Sequence, residues 1–125
     1  MSGLTIEVNV APSYRADESN DAESRYVFSY IITVHNQSPH SVQLMARYWK
    51  ITQGSGECQE VRGKVVVGQQ PLIGPGQSFR YTSRAILQTP VGVMEGAYTL
   101  LDTSTQRAFE VAITPFRLAV PLQLH

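Results

Sequence analysis

With 125 residues, ten basic and ten acidic, the chain carries no formal net charge, so it has no long-range field to gather nucleic acid or an anionic membrane surface. Its length allows one hydrophobic core and is too short for a second, which predicts a single domain over residues 1–125. The lone Cys58 excludes an internal disulfide and, without Cys/His clustering, a structural zinc site, so a reducing, cytoplasmic setting is expected.

The first stretch, MSGLTIEVNVAP, has no basic segment ahead of a long apolar one, and no run reaches the ~18 apolar residues of a membrane span; neither export nor membrane insertion is expected. Within it Leu4, Ile6, Val8 and Val10 alternate with Thr5, Glu7 and Asn9, the period of a half-buried strand. Residues 14–24, small, polar and acidic, read as a solvated loop. A second strand follows, with Tyr26, Phe28, Tyr30, Ile32 and Val34 on one face. Turn chemistry at 35–40 leads into a third, in which Val42, Leu44, Ala46 and Tyr48 oppose Gln43, Met45, Arg47, Trp49 and Ile51, and the tight link predicts a hairpin between the two.

TQGSGE closes the third strand, and CQEVRGKVVV returns antiparallel to it. After the loop signal GPG, QSFRYTS alternates Phe79 and Tyr81 with Arg80 and Thr82. EGAYTLLDTS and QRAFEVAITPF form a last pair turning at Thr103 to Thr105, and RLAVPLQLH extends that edge until Pro121 interrupts it. About seven short strands without helices predict an all-β, immunoglobulin/fibronectin type III-like antiparallel sandwich. Trp49 is placed as its inter-sheet indole and Tyr98 as a tyrosine corner or core residue.

One stretch invites a chemical reading. Gly63 to Gly68, GKVVVG, differs from G-x-G-x-x-G by Val65 at the middle glycine. A dinucleotide fold needs that motif to open a helix whose N-terminus faces the pyrophosphate, and no helix follows here. The surviving alternatives are an anion nest formed by Arg62, Gly63, Lys64 and Gly68, or plain turn and bulge glycines.

Other constellations are weaker. His35 and His40 flank a turn without a matching carboxylate or thiol, so they read as turn residues rather than metal ligands. Asp17, Glu18, Asp21 and Glu23 lack the ligand order and central glycine of an EF-hand. No G-x-S-x-G elbow occurs, and no sequence pattern ties a hydroxyl to a histidine and a carboxylate. No catalytic set, cofactor or metal site is expected.

At VQLMARYWKIT, QEVRGKVVVGQQPLIGPGQSFRYTS, TPVGVMEGAYTL and FEVAITPFRLAVP the chain resembles the bacterial ApaG family, from about Leu4 to Pro121. The resemblance implies a fibronectin type III-like sandwich. It also implies a link to cobalt resistance and magnesium efflux, a gene neighbour encoding a diadenosine tetraphosphate hydrolase, and kinship with domains of eukaryotic F-box proteins that have an interaction role. The family's glycine pattern, proposed to bind pyrophosphate, maps onto Gly63, Val65 and Gly68, so its middle position departs here. Arg84 stands after Thr82 and Ser83, where the family leads one to expect glycine. Pro71, Pro75, Gly76, Phe79, Tyr81, Thr89, Pro90, Gly92, Met94, Gly96 and Tyr98 keep the family framework.

The expected function is a non-enzymatic cytoplasmic module that mediates protein–protein interaction, through an unidentified partner, at sheet edges and end loops. The PFRLAVPLQL tail is the expected edge for a partner or for a homodimer. The alternative is a sensor of pyrophosphate or nucleotide at 62–68, with or without a divalent cation.

Overall fold

The computed structural model describes residues 5–64 and 69–121. Eight strands follow one another along it: β1 Ile6–Tyr14, β2 Tyr26–Asn36, β3 Val42–Gln53, β4 Cys58–Gly63, β5 Leu72–Ile73, β6 Ser78–Leu87, β7 Val91–Asp102 and β8 Arg107–Ala119. They form two antiparallel sheets, one ordered β1-β2-β6 and the other β4-β3-β7-β8 with β5 beside β3. The result is the immunoglobulin/fibronectin type III-like sandwich expected from the sequence. Among the described residues no helix is long and apolar enough to cross a membrane.

The core lies where the inward faces meet. Tyr26, Phe28, Tyr30, Ile32 and Val34 of β2 are all buried, as their alternation predicts. Trp49 reaches across from β3, with ring centroids 5.6 Å from Tyr30, 5.9 Å from Phe116 and 6.4 Å from Tyr98. Edge-to-face angles of 66°, 85° and 79° suit the quadrupoles of the rings.

The phase along β3 differs from simple alternation. Its register against β7 shifts between Leu44 and Ala46, so one residue bulges and every later side chain changes face. Val42 and Leu44 therefore share the core with Trp49, and Tyr48 turns outward. Where β7 passes Trp49 it carries Gly96, and a β-carbon there would stand 1.9 Å from the Tyr48 carbonyl oxygen. Only glycine lets the two backbones approach so closely.

One expected connection is corrected. β2 and β3 do not form a hairpin; they lie in different sheets. Both carry a buried face, and the link between them crosses the sandwich. Asn36 secures it: its side-chain amide donates to the carbonyls of His40 at 2.7 Å and Ile73 at 3.0 Å, while its Oδ1 accepts from the Ser38 backbone and hydroxyl. The 14–24 segment, although largely exposed, is ordered into two short 3-10 turns, Ala16–Glu18 and Asp21–Glu23. Ser19 anchors the segment by donating to the Arg15 carbonyl and accepting from Val27 N–H, and Glu18 meets Arg84 of β6 at 3.0 Å.

The two later hairpins match expectation. Gly56, with φ +92°, supplies the left-handed residue of the β3–β4 turn. β7 and β8 pair from Asp102↔Arg107 onward, and β8 continues through Pro115 to Ala119.

Candidate functional site

β4 ends at Gly63 and β5 begins at Leu72, and both pair with the same edge of β3. Of the CQEVRGKVVV stretch, Cys58 to Gly63 return antiparallel along β3, with Gly63 opposite Arg47, Lys64 lies past the strand, and 65–67 lie outside the described residues. Lys64 lies just past the end of β4, and Pro71, just before β5, accepts from Leu44 N–H beside the β3 bulge. Gln70 ties the end of β4 to β3, since its side-chain amide donates both to the Lys64 carbonyl at 2.8 Å and to the Met45 carbonyl at 3.0 Å. Of the expected anion residues, Arg62, Gly63 and Lys64 stand together at the end of β4; Gly68, with 65–67, lies outside the described residues.

Gly63 is explained by its neighbour. A β-carbon on it would come 2.8 Å from Arg47 Nη1 and 2.9 Å from Cζ, so the missing side chain makes room for a guanidinium. That same charge faces three tyrosines. The Tyr81 and Tyr98 hydroxyls bond to each other, which makes Tyr98 a core residue paired across the sandwich rather than a corner tied to nearby backbone. Burial pushes Tyr81 up to about 12 and raises Tyr30 and Tyr98 as well, and the nearby Arg47 charge opposes part of that rise in each.

On the outer face of the larger sheet these elements frame a concavity of about 380 Å³. Small residues, Ala46, Ala97 and Thr99, form its floor; Tyr48, Arg62, Lys64 and Glu110 rise around it. The Arg62 guanidinium carbon sits 4.4 Å from the Tyr48 ring centroid, a cation–π stack that holds both side chains upright. Glu60 reaches Arg62 only at 3.9 Å and both are well exposed, so that ion pair adds little. A second hollow of about 600 Å³ shares Tyr48, Arg62, Ala97 and Glu110 and continues over Gly96 and Ala112 to Pro115. The two make a trough across β4, β3, β7 and β8. Its groups can bind a carboxylate or other anion at Arg62 and Lys64, and a donor at Glu110.

The Tyr48–Arg62 pair was legible in the sequence, because a hairpin turning on the glycines of TQGSGE sets them opposite each other. Glu110 and the alanine floor were not, since they come from the far hairpin.

At one end of the sandwich the fold assembles a trio that spacing did not reveal. Ser104 donates to Asp102 at 2.7 Å and lies 3.4 Å from His40 Nδ1. The hydroxyl stands between carboxylate and imidazole, whereas nucleophile activation needs the imidazole in the middle. The trio closes the β7–β8 turn. Ser104 bonds, opposed in part by burial, hold the Asp102 carboxyl below its ordinary value, with His40 contributing further. His35 is elsewhere, its Nδ1 2.6 Å from Ser78 Oγ, so the two histidines do not share a site. Among the described residues no three His, Cys, Asp or Glu side chains are grouped to hold a metal ion.

Comparison with known proteins accords with this architecture. The ApaG domain model matches residues 16–102. Protein ApaG of Chromohalobacter salexigens is 70% identical over 120 residues, covering 96% of this chain and 94% of that one. Protein ApaG of Pectobacterium carotovorum is 49% identical over 118 residues, covering 94% of each. The crystal structure of a Bordetella pertussis protein assigned as ApaA superposes with a TM-score of 0.92 at 42% identity, over 96% of this chain and 97% of that one. A protein from Archaeoglobus fulgidus shares the fold at a TM-score of 0.51 and 9% identity, over 95% of this chain and 100% of that one. The chain belongs to the ApaG family.

Proposed function

We propose that the domain is a non-enzymatic protein-interaction module that receives a segment of its partner in the trough on the outer face of the larger sheet. The carrying observation is the shape and lining of that trough: an alanine floor, the upright Tyr48–Arg62 stack, and opposite charges at Lys64 and Glu110. An enclosed pocket would suit a small molecule, which typically buries most of its surface. This surface is open and crosses four strands, which suits side chains presented by another protein. A link to cobalt or magnesium handling would, on this reading, run through the partner.

Ala97→Arg tests it by filling the floor from an outward position. Crosslinking and capture from cells with wild type and variant should recover the same background proteins but lose the specific partner at least about tenfold. Equal recovery by a folded variant removes the trough from the reading.

A second reading, a sensor of pyrophosphate or nucleotide, draws on Arg62 and Lys64 at the end of β4 with Arg47 behind Gly63. It expects saturable amide shifts at residues 62–64 on titration with pyrophosphate or ATP, weakened by Lys64→Ala. Identical titrations of wild type and variant count against it.

A further inference from the structure

We infer that β6 is an open strand-addition edge that accepts an extended, acidic segment of a partner protein. It lies in the smaller sheet, away from the trough, and goes beyond the reading above.

Five of the described strands end the two sheets: β1 and β6 in one, β8 and, side by side along β3, β4 and β5 in the other. β1 carries Pro12 and β8 carries Pro115, each lacking an N–H to offer a new strand. These two edges also meet, with Pro12 and Tyr14 sharing a small hollow with Arg117 and Ala119. β4 is only six residues long and β5 only two. β6 differs on every count. It has ten residues, contains no proline, and pairs with β2 without a register shift from Tyr26↔Leu87 to His35↔Ser78. No backbone hydrogen bond from a described residue reaches its other edge. A long, regular, proline-free edge is the template natural proteins usually blunt.

The side chains select the occupant. Arg80 and Arg84 stand two apart from Thr82 on the exposed face, and Ile86 is 55% exposed beyond them. A second copy laid antiparallel about Thr82 would set each Arg80 against an Arg84, and like charges directly opposite disfavour pairing. A strand with Asp or Glu at alternate positions answers both arginines. Glu18 illustrates the chemistry within the chain, placing a carboxylate oxygen 3.0 Å from Arg84 Nη1.

The test uses the full-length, isotope-labelled chain and two decapeptide probes, one alternating Glu with Val and one alternating Lys with Val. The acidic probe should give saturable amide shifts along Ser78 to Leu87 and slow hydrogen exchange there, and the basic probe should bind about tenfold more weakly. R80E/R84E should reverse that preference. Arg80→Glu alone, which leaves the Glu18–Arg84 pair in place, should weaken the acidic probe about threefold with an otherwise unchanged amide spectrum. Equal binding of both probes, shifts confined to the trough, no binding of either, or concentration-dependent shifts at β6 without peptide would each overturn the inference.

Discussion

The Arg47 guanidinium occupies the space that a Gly63 side chain would need, with Nη1 2.8 Å from the position of a β-carbon. A glycine of the family's phosphate-like pattern is thereby accounted for by packing. Because the obstructing atoms end a flexible side chain, Gly63→Ala should cost only about 1 kcal/mol. In an Arg47→Ala background the same substitution should cost almost nothing. Urea unfolding of the four proteins in this double-mutant cycle measures the coupling.

Gly96→Ala should be far more damaging, although it also adds one methyl group. The obstruction is the Tyr48 carbonyl oxygen, at 1.9 Å, and backbone in the middle of a sheet cannot swing aside. A loss of about 3 kcal/mol or more, or failure to fold, is expected. Calorimetry on Gly63→Ala and Gly96→Ala side by side checks the contrast.

The Tyr81–Tyr98 hydroxyl pair should make the fold sensitive to alkali. The ordinary tyrosine value is 10.0, and the folded value for Tyr81 is about 12, with Tyr98 also raised. Above pH 10 the unfolded chain releases protons that the folded one retains, so ionisation favours unfolding. Stability should be insensitive to these groups below pH 10 and fall as pH rises toward 12. Removing one partner with Tyr98→Phe deprives the half-buried Tyr81 hydroxyl of its Tyr98 bond, at a cost of about 1 kcal/mol. The double Phe variant should recover part of that and show a weaker alkaline dependence on chemical denaturation curves, the part due to Tyr30 remaining.

At the acid end the relevant group is Asp102, whose folded value is lowered from 3.8, chiefly by the Ser104 hydroxyl. Its contribution is present above pH 3.8 and is lost as pH falls through the lower folded value. Ser104→Ala should diminish that acid dependence while leaving the alkaline limb unchanged. Denaturation midpoints across pH 2 to 6 distinguish the variant from the wild type.

Much of the fold could be read directly. The alternation of β2 named its buried face residue by residue, and the glycines of TQGSGE specified the β3–β4 hairpin with its Tyr48–Arg62 pair. Local chemistry dominates both. The β2–β3 connection misled because a short polar link resembles a hairpin turn; the decisive partner, Ile73 bonding Asn36, lies 37 residues away. The β3 phase misled because nothing in LMAR marks a bulge before β7 is placed beside it. Lone spacing also missed the Asp102–Ser104–His40 trio, whose members come from opposite connections of the sandwich.

By itself the sequence determined the all-β class, the strand faces set by period-two alternation and the turns that glycine permits, since these depend on interactions among near neighbours. The tertiary structure decided which sheet each strand joins, that Gly63 yields space to Arg47, and that Tyr48, Arg62, Ala97 and Glu110 line one trough. Those relationships depend on backbone approach and register between segments far apart in the chain, which no single segment encodes.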